Sequence, residues 1–418
     1  MTLTVENIRQ ARDQFPALTR TVNGQPAVFF DGPAGTQVPQ AVIDAVGGYL
    51  ANTNANHEGC FATSHESDAL LHQAHRAAAD LLGTDDADCI AFGPNMTTMT
   101  FALSRALARS WQPGDEIVVT RLEHDANFTP WVLAARDAGA TVRYVEIHPE
   151  DCTLDLDDFR EKLSEKTKLV ALGCASNAVG TINPVKQICT WARAAGALSF
   201  LDAVHFAPHA TIDVEDWGCD FLACSAYKFF GPHVGIQFGR RELLEKIQPY
   251  KLRPSPDDLP GRWMTGTQNH EGIAGTLAAI DYLAAIGEEL SGDDKLERRK
   301  ALGIAFDAIG TCETGLIAHL LKGLAEVPGI KVYGITDPTR FGERLPTVSF
   351  THPKLSSREI AKQLGERGIF VWHGNYYALP LTEALGVEPD GMVRSGLGHC
   401  NTAEEVGRTL AALRGIVG

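Results

Sequence analysis

Lys228 closes an apolar run, CDFLACSAYK at 219–228, directly before FFGPHVG. A lysine placed there is either a surface residue at a strand exit or a buried amine whose lowered pKa lets it act as nucleophile and base. Upstream, LSFLDAVHFAPH puts Asp202 at the end of another apolar run and His205 in the turn after it. Taken alone, Asp202 reads as a helix N-cap as readily as a functional carboxylate. Glu123-His124-Asp125-Ala126-Asn127 follows a third run, DEIVVTRL, and Ser176-Asn177 closes a fourth, TKLVALGCAS. His124 could lie flat on an aromatic ring or serve as a capping histidine; Asn177 can hydrogen-bond a ring hydroxyl. At Gly93-Pro94-Asn95-Met96-Thr97 a strand turns into a helix. Free backbone N–H groups and the helix dipole there make a phosphate cradle, which a hydroxyl such as Ser225 can join. The turn is neither a Walker A nor a GxGxxG loop, which disfavours nucleotides. Each signal is ambiguous alone. Together they offer what pyridoxal phosphate (PLP) needs: an amine, a carboxylate for the pyridine nitrogen, a flat neighbour, a hydroxyl partner and an anion site.

These residues need a scaffold that brings strand ends together. The first half alternates strand-like runs (87–93, 115–122, 140–147, 167–176, 197–204, 219–228, then 233–243) with helical stretches at 96–111, 128–140 and 184–197. Val/Ile/Leu-rich strands separated by amphipathic helices predict an α/β fold with a mostly parallel central sheet and helices on both faces. In such sheets ligands bind beyond the carboxyl ends of the strands, so Asp202 and Lys228 would share one crevice. KLRPSPDDLPGRW (251–263) reads as an active-site or interface loop. A long helical region over 273–325, broken near Ser291–Asp294, leads into a smaller α+β C-terminal layer. The expected domains are an N-terminal arm (1–30), a large domain (31–272), and a long helix with a small domain (273–418).

Composition removes several classes. The 418 residues are 44% hydrophobic and 21% charged, and 37 Lys plus Arg against 52 Asp plus Glu give a formal charge of −15. That balance argues against nucleic acid or an anionic membrane surface as partner. No stretch approaches the run of apolar residues a membrane span needs. The first residues, MTLTVENIRQ, carry an early acid and no apolar core of a secretory signal, so a cytoplasmic location is expected. Nine cysteines show no CxxC pair and no zinc-type spacing with histidine, so reduced thiols and no metal are expected.

In motif order and spacing the sequence resembles the fold-type I, PLP-dependent class V aminotransferase group, and within it the group II cysteine desulfurases and selenocysteine lyases. The matching segments run nearly end to end: FFDGPAGTQVP, NANHEG, EHDANFTPW, ASNAVGTINPV, LDAVHFAPH, CSAYKFFGP, GTQNHEGIAGTLAAIDYL and VRSGLGHCNTAEEV. The resemblance implies that Lys228 forms the imine to the cofactor, Asp202 pairs with the pyridine nitrogen and His124 stacks on the ring. It implies Asn177 near the ring oxygen and substrate, His205 beside the ring hydroxyl, and Asn95, Met96, Ser225 and Tyr227 around the phosphate. Thr267 matches a threonine that reaches the phosphate of the partner subunit, which implies a homodimer with shared active sites. Arg394 matches the clamp on the α-carboxylate of an amino-acid substrate, and His57 lies on a segment that would border that substrate.

One departure changes the expected chemistry. Tyr377 stands where these desulfurases carry their nucleophilic cysteine, and Trp372 and Glu58 stand where arginines are usual. A phenol cannot accept sulfur as a persulfide, and Cys60 and Cys400 read as packed thiols rather than substitutes. The expected reaction is β-elimination from an amino acid without a persulfide. Transamination with a 2-oxo acid is the alternative, as is epimerisation with a proton from Tyr377 or His373. A scaffold on a decayed enzyme fold is opposed by intact Lys228, Asp202, His124 and Arg394. Trp372, Tyr376 and Tyr377 predict an aromatic-walled pocket for a flat or apolar side chain.

Overall fold

The computed structural model describes residues 3–418. Apolar runs ending in polar turns form a seven-stranded sheet: β2 (Ile90–Gly93), β3 (Glu116–Thr120), β4 (Thr141–Val145), β5 (Thr167–Gly173), β6 (Leu198–Asp202), β7 (Phe221–Ser225) and β8 (Gly235–Gly239). The order is β2-β8-β7-β6-β5-β3-β4, with β8 antiparallel to both neighbours and the other pairings parallel. This is the mostly parallel α/β architecture read from the sequence. Strands β3, β5, β6 and β7 are buried along almost their whole length, which explains continuous apolar runs in place of alternation. Asp202 lies level with Gly173 on β5 and with Ala223 on β7, so three strands release their chains at one edge.

A second sheet is wholly antiparallel: β9 (Lys331–Tyr333), β10 (Thr347–Thr351), β13 (Met392–Gly396) and β12 (Trp372–Gly374), in that order. GIFVWHG reads as one strand but divides its pairing. β11 (Ile369–Phe370) pairs in parallel with β1 (Val28–Phe29) near the N-terminus, and only β12 joins the second sheet. The Ala226–Lys228 end of the sixth predicted strand is a 3-10 turn.

The connecting helices are shared between two apolar cores. Helix α7 (His270–Ser291) packs on α2 (Gln40–Gly48) and α3 (Ala62–Leu82), and its Ile273, Ile280 and Leu283 belong to the core around the large sheet. The same core takes in α8 (Arg298–Ala325) up to Ile309, whereas Leu316, Leu320 and Leu324 of α8 join a second core with Val28 and Phe30. Sequence style marks where the strands change character; it does not show which sheet a connecting helix covers. By length and composition α8 could cross a membrane, but half of its apolar stretch is buried, against α7 and against α10 (Ala403–Val417).

Candidate active site

Beyond the carboxyl ends of the large sheet one cleft gathers Asn95, Met96, His124, Asn177, Asp202 and His205 with Ser225, Tyr227 and Lys228. Lys228 is 8% exposed, and its amine donates to the Pro33 carbonyl. Burial, helped by the Arg394 charge and opposed by Asp202, lowers its pKa to about 7. Asp202 is buried as well; its Oδ1 accepts from the Val204 N–H at 2.8 Å, and burial raises its pKa to about 6.

His124 accepts a hydrogen bond at Nδ1 from the Ala126 N–H (3.0 Å), which leaves Nε2 to carry the proton of the neutral ring. Burial, with Lys228 and Arg394 nearby, lowers its pKa to about 3, so it is a neutral flat wall. Beneath it lies a network that sequence reasoning missed. Glu123, fully buried, accepts from Thr120 Oγ1 and from Asn127 Nδ2, both at 2.6 Å, and Asn127 Oδ1 accepts from Trp131 Nε1 at 3.0 Å. Burial pushes the Glu123 pKa up to about 7. The only signal was a carboxylate inserted between Leu122 and His124 at the end of an apolar strand.

Arg394, on β13, is 3% exposed and donates from Nη1 to the Asn177 carbonyl at 2.9 Å. Its guanidinium lies 4.3 Å from the Tyr376 ring centroid. Burial lowers its pKa to about 10, so it stays charged at neutral pH. Arg394 Nε and Asn177 Oδ1 are buried and lack partners among the described residues, so each has an unused hydrogen-bonding position. His205 is buried with Nε2 at 3.0 Å from Thr347 Oγ1; burial first, then the cations and histidines around it, holds its pKa well below the usual value. At the cleft's other end Asn95 caps helix α4 (Met96–Ala108), and the Met96 N–H donates to Ser225 Oγ at 3.0 Å. Tyr227 stacks on His233 at 5.1 Å.

A wider cavity of about 870 Å³ opens outward from Lys228 and Arg394. Tyr377 stands at its mouth, 71% exposed, with its ring stacked on His124 at 5.6 Å. Tyr376 and Tyr377 both have positive φ, 55° and 60°. Their carbonyls accept from Asn177 Nδ2 (3.0 Å) and from the Asp125 N–H (2.6 Å). Trp372 lines the same cavity. Two expected site residues lie elsewhere in this chain. His57 packs edge-on against His270, beside Glu58, and Thr267 is exposed in the loop before α7; neither lines the space around Lys228. Cys60 is exposed outside both spaces, and Cys400 lines a separate small cavity behind Lys228, its thiol pKa raised to about 12 by burial.

The donor set fits a phosphorylated pyridine: a buried carboxylate, a neutral flat imidazole, an amine held near neutrality, and a capped helix N-terminus with a hydroxyl beside it. The class-V aminotransferase family model matches residues 28–409. The chain is 32% identical to a cysteine desulfurase of Serratia proteamaculans over 98% of both chains. It superposes on the apo cysteine desulfurase of Thermococcus onnurineus with a TM-score of 0.87 at 27% identity, covering 100% and 99% of the two chains. A C-DES variant with glycine covalently linked to its PLP cofactor shares the fold at 21% identity and a TM-score of 0.78, covering 96% of this chain and 98% of that one. The chain belongs to the class-V aminotransferase family and is a PLP-dependent enzyme.

Proposed function

We propose that this enzyme carries out β-elimination on an amino acid, releasing the β-substituent to solvent without a protein persulfide. The observation that carries the reading is the cavity wall. Lys228, Asn177 and Arg394 face one space, Tyr377 stands at its mouth, and no cysteine is among the described residues lining it. PLP, when bound, supplies an electron sink that acidifies the hydrogen on the substrate's α-carbon.

Lys228 removes that hydrogen: its amine is neutral in much of the population near pH 7, as a base needs to be. Asp202 would hold a proton on the pyridine nitrogen, and His124 and Val204, which line the same cleft, would flank the ring. Arg394 clamps the α-carboxylate, using the Nε that the fold leaves free, while Asn177 orients the groups around it. His205 would donate to the ring oxygen, and Asn95, Met96, Ser225 and Tyr227 would hold the phosphate; all five line the cleft. The relatives named cysteine desulfurases support an amino-acid substrate from whose β-carbon a sulfur group is removed. The stacked phenol of Tyr377 supports the absence of a sulfur relay. The enzyme works as a cytoplasmic homodimer, with Thr267 and His57 completing the partner subunit's site; both lie away from their own chain's Lys228.

The test is a product assay on the PLP-loaded protein with a panel of amino acids, with and without an added 2-oxo acid. Pyruvate and ammonia without the oxo acid are the expected result. Turnover only in its presence would make the enzyme an aminotransferase instead.

A further inference from the structure

We infer that the site selects amino acids whose β-substituent ends in a flat, uncharged group, such as aryl thioethers of cysteine, over cysteine itself and over anionic β-substituents. This rests on the lyase reading above. Trp372 on β12 is the register partner of Arg394 on β13. Directly opposed residues of an antiparallel pair project to the same face, with Cβ atoms roughly 5 Å apart. Because Arg394 faces the cleft, the indole flanks whatever carboxylate Arg394 holds. Trp372 is 49% exposed and Tyr377 71%, large flat surfaces left open at the mouth of a cavity whose floor is buried and polar.

The backbone that carries the Tyr377 ring is held by its neighbours. Two successive left-handed tyrosines are strained, and the carbonyl contacts from Asn177 and Asp125 over-determine them. That backbone presents the ring to His124, on which it stacks at 5.6 Å. Phe101, Pro130 and Pro389 extend the apolar wall. Charge points the same way. Apart from the histidines, the cations lining the cavity are Lys228 and Arg394, and Asp125 adds a carboxylate at the rim. An anionic side chain would be desolvated there with no countercharge of its own. For a thioether the Cβ–S bond breaks, sulfur leaves with the electron pair and takes up one proton. The three-carbon remainder then reacts with water to give pyruvate and ammonium.

Binding of unreactive amino acids to the PLP-loaded enzyme tests this independently of turnover, read from the change in cofactor absorbance. L-Phenylalanine should bind about tenfold tighter than L-alanine, and L-aspartate more weakly than L-alanine. Trp372→Ala should remove most of the phenylalanine preference and Trp372→Phe should retain it, so a folding defect cannot mimic the result. S-Phenylcysteine should then release pyruvate with a kcat/KM about tenfold above that of cysteine. Phenylalanine binding no tighter than alanine, or a preference untouched in Trp372→Ala, overturns the inference and leaves the lyase reading standing. The preference without any pyruvate from S-phenylcysteine overturns the lyase reading and leaves the selectivity.

Discussion

Two buried cations, Lys228 and Arg394, oppose each other's charge, and Asp202 is the carboxylate that favours Lys228's charged form. Desolvation wins, and Lys228 titrates near 7 rather than above 10. Only the free amine attacks an aldehyde, so PLP capture by the apoprotein should accelerate from pH 6 to 8 and then level off, followed by cofactor absorbance. Asp202→Asn removes the interaction that raises the Lys228 pKa, so the midpoint of that profile should move to lower pH. Turnover should fall by at least about a hundredfold, because the pyridine nitrogen loses its anionic partner. A midpoint that stays put would show that Asp202 and Lys228 do not feel each other. Lys228→Ala should fold like the parent and have no activity with any substrate; more than about a tenth of parental turnover would remove Lys228 from the role of base.

Between the two cores, the Ser176–Thr181 turn interlocks with the 343–347 segment. The Leu345 N–H donates to the Gly180 carbonyl (2.8 Å) and the Ile182 N–H to Glu343 (2.9 Å). Gly180 has φ +81°, and a Cβ there would meet the Leu345 carbonyl oxygen at 2.7 Å and that of Thr347 at 2.9 Å. Gly180→Ala should therefore destabilise by about 2 kcal/mol or more, read as a lower denaturation midpoint. A second joint is the buried pair His209 Nδ1–Glu313 Oε2 at 2.8 Å, linking the turn after β6 to α8. Glu313→Leu leaves His209 Nδ1 buried without its partner and should cost about 1–3 kcal/mol, read as a lower denaturation midpoint. Neither joint was legible in the sequence, because Gly180 reads as an ordinary turn glycine and His209 and Glu313 lie far apart in the chain. The strands of the large sheet were legible, since burial on both faces writes itself as a run of Val, Leu, Ile and Phe. Five of the residues read from strand ends, His124, Asn177, Asp202, Ser225 and Lys228, line one cleft because parallel strands share one exit edge. What periodicity could not show was partnership: nothing in GIFVWHG says that its first half pairs with residues 28–29.

For the assembled molecule, the homodimer proposed above, with Thr267 shared across its interface, predicts complementation. Lys228→Ala and Thr267→Ala proteins, each inactive or weak, should regain up to about a quarter of wild-type activity after mixed refolding. Half the dimers would be mixed, and each of those would hold one intact site. No recovery in a preparation shown to contain mixed dimers would place Thr267 outside the active site. The pairing of β1 with β11 also bears on how the chain is made. Val28 and Phe30 are fully buried in the second core, Phe30 accepts from the Gly396 N–H and donates to the Phe370 carbonyl, and Phe29 accepts from Asn401. Their partners are synthesised about 340 residues later, which at ribosomal speed is a delay of tens of seconds. A nascent chain stalled before residue 369 holds an apolar strand with nothing to pair with, so the second core closes only once residues 369–401 have emerged.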